Sequence, residues 1–171
     1  IADKGGDFRN VTFDDCTITN IIMLCDLRKT AQAPTVNVSN CTFCYAPMET
    51  TANANTPLFR FATNAANLNI TNSIFGPSMA TDGSAGSKLQ LYTPGVKGSV
   101  LLNGASTVLS VAGSYKTNFA YTPIGADATT YGIDGLIDFK GAETELWTAP
   151  ANGEFKFNAS LDSEAGASKW K

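Results

Sequence analysis

The chain has 171 residues, a length that fits one domain, and 43% of them are hydrophobic, ten Phe included, so a sizeable core is within reach. Charged residues are only 16% and the formal net charge is −3. That gives no electrostatic ground for nucleic-acid binding and points to secreted β structure. Histidine is absent. This excludes Ser-His-Asp and Cys-His mechanisms and any His-ligated metal.

The chain opens Ile1-Ala2-Asp3-Lys4, with neither an initiator Met nor a signal peptide, so further sequence is expected upstream. The first patterned segment is Val11-Thr12-Phe13-Asp14-Asp15-Cys16-Thr17-Ile18. It returns as Val36-Asn37-Val38-Ser39-Asn40-Cys41-Thr42-Phe43, then as Leu68-Asn69-Ile70-Thr71-Asn72-Ser73-Ile74-Phe75. A fainter fourth copy is Leu109-Ser110-Val111-Ala112-Gly113-Ser114-Tyr115. Each copy reads as a strand, two turn residues, a small residue and a second short strand.

Alternation puts Val11 and Phe13, Val36 and Val38, Leu68 and Ile70, and Leu109 and Val111 on one face. Cys16 with Ile18, Cys41 with Phe43, and Ser73 with Phe75 then face the same interior. The second turn position is Asp15, Asn40, Asn72 or Gly113, all types that tolerate left-handed backbone. The copies therefore predict a tight corner between two strands, once per repeat. Asn40 and Asn72 are expected to stack there as a side-chain amide ladder.

Between copies, further strands are expected at Ile21–Leu27, Leu58–Phe61, Lys88–Tyr92 and Leu136–Phe139. Residues 50–57 and 77–87 read as inserted loops. The copies lie 25, 32 and 41 residues apart. A β-solenoid rung of twenty-odd residues with inserted loops accounts for that spacing. The expected fold is all-β: a right-handed parallel β-helix of about five rungs over residues 1–144. An irregular segment, residues 145–171, would cover the last rung, anchored by Trp147 and Trp170.

The four cysteines are Cys16, Cys25, Cys41 and Cys44. A lone C-x-x-C without His or a second pair does not make a zinc site. Cys16 and Cys41 are expected as buried, stacked, reduced thiols, continued by Ser73 and Ser114 in one column. Sequons occur at Asn10, Asn37, Asn40, Asn69 and Asn158, four of them inside the repeats. There the strand and turn already call for Asn and Thr, so they read as by-products of the repeat.

The V-x-V-x-N-C-x-F repeats resemble right-handed parallel β-helix proteins of the pectate-lyase type. The end of the chain narrows the likeness. Glu145-Leu146-Trp147-Thr148-Ala149-Pro150-Ala151-Asn152-Gly153-Glu154-Phe155, followed by Gly166-Ala167-Ser168-Lys169-Trp170, is similar to the closing segment of uncharacterised β-helix proteins secreted by Bacteroidetes. Those often end W-x-x-P-x-N-G-D-F and then G-D-P-[RK]-W. Here the Asp-Pro of that tail is replaced. The resemblance implies an extracellular or outer-membrane surface location, lipid-anchored through an upstream region, and a glycan-rich setting. It carries over no catalytic residues.

Lyases on this scaffold need a base and usually Ca²⁺ held by several carboxylates. The adjacent pair Asp14-Asp15 sits at the corner, where Asp serves as a turn former. No Asp cluster with glycosidase spacing is present. Arg28-Lys29 follows a strand and reads as a charged strand end or a uronate contact. Arg60 lies between Phe59 and Phe61, so it points to the outer face when those two face the core. Asp26 and Asp138 are expected beside it, as a structural ion pair or a glycan-binding patch. Tyr115, Phe119, Tyr121 and Tyr131 crowd an insert from Ser114 to Gly135 and offer stacking faces for sugars or a buried packing surface.

The functional expectation is a non-catalytic polysaccharide- or surface-glycan-binding module, monomeric, with no cofactor, no nucleic-acid partner and no membrane span. The candidate ligand residues are Arg60, Asp26, Asp138, Tyr115, Tyr121 and Tyr131. One alternative is a polysaccharide lyase, with Ca²⁺ and with catalytic groups partly on upstream rungs. The other is a structural stalk or adhesin segment.

Overall fold

A computed structural model describes residues 1, 8–27, 33–44, 46, 48–49, 58–61, 66–76, 79–80, 102–103, 108–117, 135–139, 146–149, 152–157 and 163–171. These form an all-β, strand-rich arrangement. The first repeat supplies β1 (Asn10–Asp14), β2 (Thr17–Thr19) and β3 (Cys25–Leu27). The second supplies β4 (Thr35–Ser39), β5 (Thr42–Cys44), β6 (Met48–Glu49) and β7 (Phe59–Phe61). The third supplies β8 (Asn67–Thr71), β9 (Ile74–Phe75), β10 (Met79–Ala80) and β11 (Leu102–Asn103). Then follow β12 (Val108–Ala112), β13 (Tyr115–Thr117), β14 (Ile137–Phe139), β15 (Trp147–Ala149), β16 (Glu154–Phe157) and a 3₁₀ turn, Ser168–Trp170.

Pairing is parallel throughout β1–β14, and repeats stack on their predecessors. The first sheet runs β1-β4-β8-β12, the second β14-β13-β9-β5-β2, the third β11-β7-β3, with β10-β6 as a small fourth. Register follows the sequence copies: Val11, Val36, Leu68 and Leu109 share one column, and Phe13, Val38, Ile70 and Val111 the next. The expected alternation holds. Val36, Val38, Leu68 and Ile70 are fully buried, and the polar residues between them are not. The same core takes Cys25, Leu27, Phe59 and Phe61 from the third sheet and Phe43 and Phe75 from the second. Phe43 and Phe75 stack at 4.5 Å, and Phe59 meets Phe75 edge-on.

The corner between the first and second sheets has left-handed backbone in every copy. Asp15, Asn40, Asn72 and Gly113 have φ of 53°, 52°, 46° and 56°. Their N–H groups stay in the ladder: Asp15 donates to Ser39 O, Asn40 to Thr71 O and Asn72 to Ala112 O. The next residue is small; Cys41, Ser73 and Ser114 are buried there, whereas Cys16, expected to be buried, is half-exposed because no described repeat stacks beyond the first. This small residue's carbonyl accepts from the following repeat, as in Thr42 N–H to Cys41's counterpart Cys16 and Ile74 N–H to Cys41, both 2.8 Å. Its own N–H finds a side chain instead. Cys41 N–H donates to Ser73 Oγ and Ser73 N–H to Ser114 Oγ, each 3.0 Å. Each hydroxyl in turn donates to a carbonyl two residues back, Ser73 to Thr71 and Ser114 to Ala112.

Three expectations are corrected. The amide ladder lies on the strands and not at the corner: Asn69 Nδ2 donates to Asn37 Oδ1 at 2.8 Å, and Asn37 Nδ2 to Thr12 Oγ1. Asn40 turns its amide to the Asp14 carboxylate. Second, the Ile21–Leu27 strand shortens to Cys25–Leu27, because Asn20 makes another left-handed corner at φ 55° just before it. Third, the C-terminal segment reaches beyond the last repeat: its described hydrogen bonds to the repeats lie on Asn72, Thr42, Asp15 and Thr17 of the first three, while its aromatic cover also packs against Tyr115 of the fourth. Trp147 is buried against Gly76, where a Cβ would sit 1.9 Å from its ring, and it meets Phe155 edge-on. Phe155 meets Trp170 in the same way. The outer face of the second sheet, Cys44 and Ile74, is thereby covered, with Tyr115 and Phe139 packed alongside.

Replacing Ser73 by Ala strands the buried Cys41 N–H, and that should cost about 1–3 kcal/mol in urea unfolding. Ser73→Cys, which copies the preceding repeats, should cost less. Equal losses from both variants would mean that the hydroxyl is not the acceptor that matters.

Candidate functional site

Two outward-facing surfaces present polar side chains in regular order. On the first sheet, one column is Thr12, Asn37, Asn69 and Ser110, and its neighbour starts Asn10, Thr35 and Asn67. The amides do not hang free. Asn69 bonds Asn37, Asn37 bonds Thr12, and Asn67 Nδ2 reaches Thr35 Oγ1 at 3.4 Å. Each such bond uses one N–H of a group with two N–H donors and one two-lone-pair acceptor. These groups lie on the outer face, repeated at the strand spacing of about 4.8 Å. The first sheet's outer face is thus a row of oriented, uncharged donors and acceptors, with Asp14 as its acidic member at the corner.

On the third sheet, Asp26 and Arg60 are register partners on β3 and β7, both half-buried, with Asn103 next in register on β11. Period 2 sends Cys25, Leu27, Phe59 and Phe61 inward, all buried, so the Asp26–Arg60 column lies outward as expected. Ile1 lies beside it: its nitrogen donates to Leu24 O and its carbonyl accepts from Asp26 N–H.

Asp138 does not join that column. It lies on β14 of the second sheet, paired with Lys116 of β13. Lys116 is in register with Phe75, so the interior column Ile18–Phe43–Phe75 ends in Lys116 and Asp138. The Lys116 side chain is 14% exposed and that of Asp138 54%. Sequence reading missed Lys116. Its signal was the register of the fourth copy, where Tyr115 and Lys116 fall opposite Ile74 and Phe75. Tyr115 sits on the outer side of this sheet, half-buried at the edge of the aromatic cover. It is a packing residue there. Tyr121 and Tyr131, with Phe119, Arg28 and Lys29, lie outside the described residues, as do the loop 50–57 and the strand expected at Lys88–Tyr92; of the loop expected at 77–87, Met79–Ala80 form a strand that pairs with β6 instead, and the rest lies outside the described residues.

Electrostatics at the corner is specific. The Asp14 carboxyl is held below its usual range by the hydroxyl of Ser39 and then the amide of Asn40. Asp15 is lowered by the Ser168 hydroxyl and backbone N–H. Both carboxylates are committed to neighbours within the chain. Among the described residues, no group of three His, Cys, Asp or Glu side chains converges as a metal site. No described helix is long and apolar enough to cross a membrane.

All four cysteines are free thiols. Burial pushes the Cys25 thiol up to about 12 and that of Cys41 up to about 11. Cys41 Sγ donates to Ser39 O at 3.1 Å, and Cys16 Sγ to Asp14 O at 3.2 Å. Neither buried thiol is an available nucleophile near neutral pH. Comparison with protein-family models, curated proteins and solved structures returned no match.

In the native protein a disulfide reagent near neutral pH should modify Cys16, which is half-exposed, well ahead of Cys25, Cys41 and Cys44. Denaturation without reductant should release all four. Fewer than four titratable thiols after denaturation would refute the reduced column, and equal native rates would refute its burial.

Proposed function

We propose that this chain is a right-handed parallel β-helix whose outer strand face binds polysaccharide without cleaving it, at the cell surface or outside it. The fold reading is supported by the order in which the chain visits its sheets: first, second, third, and back to the first, with parallel register each time. Handedness follows from the general rule that parallel crossovers in one sheet are right-handed in about 98% of cases.

The observation that carries the binding reading is the oriented row Thr12–Asn37–Asn69–Ser110. A glycan offers hydroxyls that both donate and accept, and a row of amides and hydroxyls with fixed orientation matches them without a net charge to neutralise. Because the row repeats along the stack, it suits a linear polymer lying across several strands, where weak contacts add by multivalency. Asp26 and Arg60 supply a second polar patch on a neighbouring face and would select acidic or amino-bearing sugars. The stalk reading is favoured by the same bonds, since the amides already stabilise the stack.

A glycan array separates the two. Signal for a linear polysaccharide, reduced severalfold by the double substitution Asn37→Thr and Asn69→Thr, supports the row as the site. A blank array favours the stalk. Ultraviolet absorbance growing as unsaturated uronate forms from any uronate polymer, with Ca²⁺ added, would overturn the non-catalytic reading and favour a lyase.

A further inference from the structure

The end of the chain is tied to its beginning by a short ladder of its own. Gly166 N–H donates to Asn72 O at 2.7 Å, on the third repeat. Ala167 N–H donates to Thr42 Oγ1 at 3.0 Å, on the second. Ser168 donates twice to the Asp15 carboxylate on the first, through its N–H and its hydroxyl. Trp170 Nε1 reaches Thr17 Oγ1 at 2.7 Å. Gly166 permits the approach: its φ is 92°, and a Cβ there would lie 2.8 Å from Ile74 Cδ1 and 2.9 Å from Thr42 Oγ1.

The anchors differ in kind. Gly166 and Ala167 are buried, and their bonds are neutral. Ser168 and Lys169 are exposed, and the Ser168 bonds end on a carboxylate that water can reach. A carboxylate accepts both donors at once. A protonated carboxyl gives up acceptor capacity and turns an O–H toward its neighbours. We propose that residues 166–171 form an acid-releasable latch, held by the Asp15 carboxylate and shed from its exposed end when that group takes a proton, uncovering Thr42 and Ile74 on the second sheet.

The charged groups around Asp15 are Asp14 on its own corner and, from the segment, Lys171, with Glu164 4.0 Å from Lys171; Lys169 lies over the Trp170 ring at 4.3 Å. Ser168 first, and then Lys171, hold the Asp15 carboxyl below its ordinary value of 3.8. A carboxyl lowered by folding stabilises the closed state above its unfolded value and stops doing so as pH falls through its folded value. The latch is therefore closed at neutral pH and opens below the ordinary carboxyl range.

Hydrogen exchange of the full chain, read by nuclear magnetic resonance, tests this. Asn is already tolerated at the equivalent corner in Asn40 and Asn72, so Asp15→Asn preserves the backbone conformation while removing the charge. At neutral pH that variant should lose protection severalfold at the Ser168 amide and the Trp170 indole, with Leu68 and Ile70 unchanged. Ser168→Ala, which keeps the N–H bond, should lose less. In the unsubstituted chain the same two signals should lose protection on acidification before Leu68 and Ile70 do. Full protection of Ser168 and Trp170 in Asp15→Asn would overturn the latch. So would loss of all four signals together on acidification of the unsubstituted chain.

Discussion

The stack depends on what happens to one N–H group per repeat. A left-handed residue turns the chain sharply from the first sheet to the second, and its own N–H still reaches a carbonyl of the next repeat. In the second and third copies the residue after it is fully buried, and its N–H meets a side chain rather than such a carbonyl. Leaving that group unpaired costs more than a typical hydrogen bond contributes. The next repeat supplies a serine hydroxyl at that point, and the hydroxyl discharges its own proton to a carbonyl two residues back. The corner thus requires a small polar side chain on the interior, which in turn requires that each repeat stack in register on the one before.

Register then decides where the core begins and ends. In the second and third repeats the first-sheet side chains are almost wholly buried, while Leu109 and Val111 of the fourth, and Phe13 of the first, are only partly so. On the second sheet the interior aromatic column stops at Lys116 and Asp138. Inward-pointing charge is one of the devices that discourage further strand addition at a sheet edge. The Lys116–Asp138 pair has that position, and Ile137 beside it is exposed. The apolar column is thus closed by chemistry that would be costly to bury further.

Much of this was legible in the residues. Alternation located the inward columns, and the recurrence of Asp15, Asn40, Asn72 and Gly113 located the corners, because both are local properties of the backbone. The placement of Asp138 was not, since strand pattern gives the face of a residue within its own sheet and nothing about which sheet it joins. The two readings of Tyr115, sugar contact or packing residue, stayed open in the sequence for a related reason. Its face of the second sheet is covered by Trp147 and Phe155 from the end of the chain, a contact that no local period encodes. Asn20 carried the same signal as the other corner residues but occurs without a strong strand before it. The Asn37–Asn69 ladder was visible as composition and became an arrangement only once the register paired those two positions.

The two outer faces are treated in opposite ways, and that difference leaves the first sheet as the polar one. The second sheet exposes Cys44 and Ile74 to its outer side, a surface too apolar to leave in water, and the chain covers it with its own aromatic segment. The first sheet presents Thr, Asn and Ser there and remains partly exposed. Amides left to rotate would each lose side-chain freedom on meeting a ligand. Here Asn37 and Asn69 have already lost it to one another and to Thr12. The ordering cost is met during folding, so a ligand that matches the row gains its hydrogen bonds without paying it again, which is the physical meaning of a preorganised surface.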